Sequence, residues 1–159
     1  MEILAVVLRV LHIAAAAGAI GAALYQWLAV RPALAALGES ERAALLARAA
    51  AGWRGVALLI MAVLLITGLA NFLVYKIPEV KPHPAKAVYH GLIGLKILLA
   101  LMVFHPAAAL VMPGAKGDRY RERGAFWVAY MLALYGVIIV AGAVLRYFNV
   151  LFPAAGTGA

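Results

Sequence analysis

Residues 84–112 read PAKAVYHGLIGLKILLALMVFHPAAALVM, and this stretch decides how the whole chain is read. It is long enough to cross a bilayer, yet it carries His90, Lys96 and His105 inside an otherwise apolar run. A lysine near the middle of a hydrophobic span is costly to bury and is a candidate functional residue by default. The rest of the chain can then be asked what meets those three side chains.

The chain has 159 residues, of which 67% are hydrophobic and 13% charged, and its mean hydropathy of +1.01 is beyond the range of soluble domains. Apolar segments at about residues 3–30, 54–75, 87–112 and 125–148 are each near or above the roughly 20 residues that a helical span requires. These features predict an all-α integral membrane protein, an up-and-down four-helix transmembrane bundle occupying 1–159 as a single domain. Its helices are expected at about 2–37, 40–76, 84–112 and 118–148. Cysteine is absent, which excludes disulfides and thiolate metal sites, so redox work would require a bound cofactor.

The net charge of +8 does not imply a nucleic-acid partner, because the basic residues sit in loops between apolar spans. Arg31, Arg42, Arg48 and Arg54 follow the first span, and Lys116, Arg119, Arg121 and Arg123 follow the third. The opposite side has Lys76, Lys81 and Lys86 in its loop, with Arg9 and Arg146 inside the flanking helices. The positive-inside rule therefore predicts both termini outside and both arginine-rich loops in the cytoplasm, as for a multi-pass protein of a bacterial inner membrane. The first apolar run begins after an acidic Glu2 and continues to Val30, which reads as a retained helix rather than a signal peptide.

In chain order, Arg9, His12 and Gln26 form a polar stripe on helix 1, beside a small-residue surface from Ala14 to Ala22 suited to close helix packing. Gly38 is placed to end one helix and Ser40 to cap the next, joining them in a tight hairpin. Thr67 and Asn71 lie four apart on one face of helix 2. The loop KIPEVKPHPAK is expected to resist helix until Pro84, with His83 on its surface. Pro113-Gly114 stops helix 3, Asp118 is a candidate cap for helix 4, and RYRER reads as a solvated turn. Helix 4 places Met131, Tyr135, Gly142 and Arg146 on one face.

Helices 1 and 3 run in the same direction, and His12 and Lys96 are equally far along them, roughly 13 to 14 Å from the outer end at ~1.5 Å per residue. His90 lies roughly 9 Å shallower, and Arg9, Asn71 and Arg146 share this outer half. A b-type haem suits such a site, with His12 as iron ligand, arginines on the propionates and small residues around the macrocycle. Lys96 is then either the second ligand, if burial frees its amine lone pair, or a cation for substrate carboxylates or a proton donor. The plain alternative is that His12 bonds a backbone carbonyl and Lys96 snorkels. A second cluster lies deeper. His105 is close in depth to Met61 and Met131 and shares a face with Met102 and Met112, a set of ligands for copper(I) or a His/Met haem pair. However, His90 and His105 lie on one stripe of helix 3 and Lys96 on another, so they cannot all face one bundle axis.

The run Leu8-Arg-Val-Leu-His12-Ile-Ala-Ala, with an Arg-Pro after its helix, resembles the first helix of HemJ-type protoporphyrinogen oxidases and of the related CopD-type copper-resistance membrane domain. Helix 3, with Gly-Leu-Lys96-Ile-Leu-Leu-Ala and His105 beyond it, is similar to the HemJ-type segment that carries a characteristic Lys and a following His. The resemblance implies haem b on His12 with Lys96 as its functional partner, oxidising a porphyrinogen or passing electrons to quinone or a respiratory chain. A CopD-like protein would instead use His105 and the methionines for copper. The competing class is a non-enzymatic subunit of a larger membrane complex, or a homo-oligomer, assembled through the small-residue faces.

Overall fold

The computed structural model describes residues 2–153; Met1 and residues 154–159 lie outside it. Four helices are long and apolar enough to cross a membrane: α1 (Ile3–Leu34), α2 (Glu39–Val80), α3 (Lys86–Val111) and α5 (Gly124–Arg146). Two short helices complete the fold, α4 (Ala115–Glu122) between the last two spans and α6 (Phe148–Leu151) after them. The described residues contain no strand, and the molecule is an all-α four-helix bundle of a multi-pass membrane protein. Large apolar side chains such as Ile3, Leu28 and Val150 point outward with 81%, 69% and 76% exposure. Lipid tails are as apolar as these side chains, so outward-facing leucine and isoleucine carry no penalty in a bilayer.

Short connections make neighbours antiparallel, so α1 packs on α2, α2 on α3, α3 on α5 and α5 back on α1. α1 and α3 stand diagonally across the bundle. Both described ends of the chain and the α2–α3 loop lie at one end of the bundle, termed the terminal end. The arginine-rich connections lie at the other.

Proline shapes α1 and α2 in the same way. A π-helical turn, Gln26–Val30 or Asn71–Lys76, sits just before Arg31-Pro32 or Ile77-Pro78, and it closes by Arg31 N–H to Gln26 O or Ile77 N–H to Phe72 O. A proline ring clashes with the carbonyl four residues back and has no N–H to offer. Widening the preceding turn carries the helix past it. The helix therefore persists through Pro78 to Val80, where the sequence predicts loop as far as Pro84.

Helix termini also correct two expectations. Gly38, not Ser40, is the N-cap of α2, and its N–H donates to Glu41 Oε2 at 3.3 Å. Asp118 does not cap the last span; it lies within α4, where Arg121 pairs with it at 2.5 Å. The RYRER run is not simply a solvated turn, because Arg121 also donates to the carbonyls of Leu110 and Met112 at 2.9 Å each. Arg54 donates to Val111 O at 2.9 Å, and Arg42 reaches Leu34 O and Leu37 O at 3.1 and 3.2 Å. The last carbonyls of α3 and α1 have no intrahelical partner, and arginine satisfies them while complementing the negative end of the helix dipole.

Two apolar clusters bracket the middle of the bundle. At the terminal end Val80, Tyr89 and Phe148 are buried, with Phe72, Leu92, Ile93, Leu145 and Phe152 around them. Toward the arginine-rich end Val103, Val128 and Met131 form a second core between α3 and α5. The polar layer lies between these two.

Candidate functional site

The polar layer is built by one residue or pair from each long helix. His12 comes from α1, Thr67 and Gly68 from α2, Lys96 from α3 and Gly142 from α5. Thr67 is the single polar residue buried among those described, at 4% exposure. Its hydroxyl lies 2.6 Å from Val63 O, one turn back, and 2.8 Å from His12 Nδ1. A carbonyl oxygen can only accept, so the single hydroxyl proton of Thr67 goes to Val63. Nδ1 must then donate to Thr67, and in the neutral imidazole Nε2 is left with its lone pair. The sequence placed Thr67 on one face of α2 with Asn71 without revealing that it would fix this tautomer.

Gly68 provides the space for the ring. A Cβ at that position would stand 3.2 Å from His12 Cε1. Diagonally opposite, the Lys96 Nζ lies 3.8 Å from where a Cβ on Gly142 would be, and Lys96 is within electrostatic reach of His12. Thus Gly68 on α2 makes room for the His12 ring, and Gly142 on α5 lies at ordinary contact distance from the Lys96 amine. Lys96 forms no salt bridge; the ion pairs among the described residues are Lys76–Glu79 and Arg121–Asp118, both far along the chain from it. A neutral or protonated imidazole therefore shares this layer with an amine that has no carboxylate partner.

The other candidates divide around this layer. Asn71 lies one turn from Thr67 toward the terminal end and donates through Nδ2 to Thr67 O at 2.9 Å, so its amide is held by its own helix. Arg9 and Arg146 are exposed, each about one turn nearer the terminal end than His12 and Gly142 respectively. His90 is exposed on the outward face of α3, where Nδ1 donates to Lys86 O at 2.7 Å and the ring packs edge-on to Phe72. It does not join His12. The competing stripes of α3 are thereby sorted, with Lys96 inward and both His90 and His105 outward.

His105 likewise lies apart from Met61 and Met131. It is exposed, 2.8 Å from Tyr120 Oη through Nε2, in an open groove of about 410 Å³ that Met102, Pro106 and Trp127 also line. Met61 and Met131 instead face an interior space of about 100 Å³. The structure brings Met102 to His105 and keeps Met61 and Met131 on the far side of α3's wall. Among the described residues no group of three or more His, Cys, Asp or Glu side chains is gathered as a metal centre.

The interior space is a feature that the sequence reading did not anticipate. It is walled by Ala19, Ala22, Ala57 and Ala107, with Gln26, Trp53 and Tyr135 supplying polar groups. Leu64, whose backbone carbonyl faces the His12 ring, lines its inner end. The signal available in sequence was the clustering of alanines on three helices, which reads equally well as close packing. Compared with protein-family models, with curated proteins and with solved structures, the chain matches none.

Proposed function

We propose that this is a redox protein of a bacterial cytoplasmic membrane, with its termini outside, that holds a b-type haem through His12. The observation that carries the reading is the chain of hydrogen bonds from His12 to Thr67 to Val63, which makes Nδ1 the donor and leaves Nε2 without a proton in the neutral ring. A ligating histidine characteristically donates its other ring N–H to such an outer partner, which sets the tautomer and orients the ring. The donor set therefore fits the iron of a haem. When bound, the group supplies one-electron chemistry at that iron.

The protein's own residues do the rest. Thr67 holds the imidazole, and Gly68 keeps the volume beside it clear. Arg9 and Arg146, a turn nearer the terminal end, are placed for carboxylates at the membrane boundary. Lys96, lacking a carboxylate of its own, binds an acidic group of the substrate or hands it a proton, which is the role expected of the catalytic residue. The interior space nearest His12, about 100 Å³, is smaller than the ~300 Å³ at which small-molecule pockets begin. A macrocycle is therefore not accommodated in that space.

The test is a reduced-minus-oxidised visible spectrum of the protein in lipid nanodiscs, before and after titration with haem. A b-type spectrum that His12→Ala abolishes and Lys96→Met retains in altered form is expected. Protein that takes up no haem in nanodiscs, or a spectrum indifferent to His12→Ala, overturns the reading.

A further inference from the structure

We propose that the interior space is a water-filled vestibule entered from the arginine-rich end, which brings water to within one turn of the His12–Lys96 layer from that side. This inference concerns access to the layer and does not rest on the cofactor reading.

The space extends along α2 from Trp53 to Leu64, about 16 Å at ~1.5 Å per residue, and ends one turn short of Thr67 and Gly68. Its volume of about 100 Å³ accommodates on the order of three waters at ~30 Å³ each. A wholly apolar cavity of this size stays dry, but a water with two or more polar partners is stable. Here Gln26 offers both donors and an acceptor, Tyr135 a hydroxyl and Trp53 an indole N–H. Among the described residues none of these side chains has a protein hydrogen-bond partner, and no fully buried side-chain polar atom is left unsatisfied. Gln26 and Tyr135 are half-buried among the residues that line the space, where water can satisfy them.

Sidedness follows from the rest of the bundle. Trp53 and Gln26 lie toward the arginine-rich end, and Trp53 is 42% exposed. At the terminal end the buried Val80, Tyr89 and Phe148 pack with Phe72, Leu92, Leu145 and Phe152, and Tyr89 meets Phe148 edge-on at 5.1 Å. That cluster packs α2, α3, the end of α5 and α6 together on the terminal side of the layer. Alanines on α1, α2 and α3 make the vestibule by leaving out side-chain volume that leucine would fill.

The chain contains no cysteine, so single-cysteine variants give a clean readout. Ala57→Cys and Ala107→Cys line the vestibule, Leu59→Cys sits at similar depth but faces lipid, and Lys116→Cys marks the arginine-rich side. Each variant in sealed vesicles is exposed on one side to silver ion, a water-sized membrane-impermeant probe. Free thiol is then counted by maleimide labelling after denaturation. Ala57→Cys and Ala107→Cys should be protected only when silver is on the side that protects Lys116→Cys, at rates at least tenfold above Leu59→Cys. Adding Ala57→Leu to Ala107→Cys should fill the vestibule and abolish the protection. Equal inertness of Ala57→Cys, Ala107→Cys and Leu59→Cys overturns the proposal, and so does protection from the opposite side.

Discussion

His12 Nδ1 lies 2.8 Å from Thr67 Oγ1, and because the threonine proton is committed to Val63 O at 2.6 Å, the imidazole is the donor in that contact. Thr67→Val keeps the shape of the side chain and removes the acceptor. The ring then has a buried N–H to satisfy, at a cost of about 1–3 kcal/mol. If His12 is the haem ligand, affinity for haem should fall roughly 10- to 100-fold in Thr67→Val and be restored in Thr67→Ser. Haem titration followed in the visible spectrum measures both.

The two glycines of the polar layer should respond differently to alanine. At Gly68 the new methyl would stand 3.2 Å from the His12 ring, so the ring must give way by a few tenths of an ångström. At Gly142 the distance to Lys96 Nζ is 3.8 Å, an ordinary contact. Glycine inside a helix is destabilising by roughly 0.5–1 kcal/mol relative to alanine. Gly142→Ala is therefore expected to be neutral or slightly stabilising in thermal unfolding in detergent. Gly68→Ala should forfeit that gain and alter any spectrum or affinity that depends on His12.

Lys96 sits within a span without a carboxylate partner, and a lysine at the centre of a membrane helix costs about 2.5–3.5 kcal/mol to insert. Lys96→Met, close to it in length, should raise the unfolding temperature while abolishing activity. This is the opposite of a residue kept for packing. A destabilised Lys96→Met protein would show that the amine is bonded in a way that holds the fold.

The turn after α3 offers a purely structural prediction. A methyl on Gly117 would fall 1.9 Å from the Met112 carbonyl oxygen, and both groups are backbone-bound, so neither can swing away. Overpacking of this kind costs about 1–3 kcal/mol or more. Gly117→Ala should lower the unfolding temperature more than Arg121→Lys. The lysine retains a charge but loses the fork that joins Leu110 O, Met112 O and Asp118. Gly114, with φ +81, faces open space, so alanine there tests backbone strain alone.

What the sequence determined by itself is the bundle. Apolar length, loop charge and the absence of cysteine define four spans joined by short connections, because a bilayer leaves a helix few alternatives for satisfying its backbone. The equal depth of His12 and Lys96 was also legible, since rise per residue is fixed along a helix. Rotation about each helix axis was not. Angular arithmetic showed that Lys96 and the two histidines of α3 face different ways, but only packing against Gly142 and across from His12 made the Lys96 stripe the inner one. Nor could spacing reveal that Thr67 would set the His12 tautomer, or that Arg54 and Arg121 would close the end of α3. Those contacts join residues 55, 57 and 11 positions apart, and such pairings exist only once the helices have chosen their neighbours.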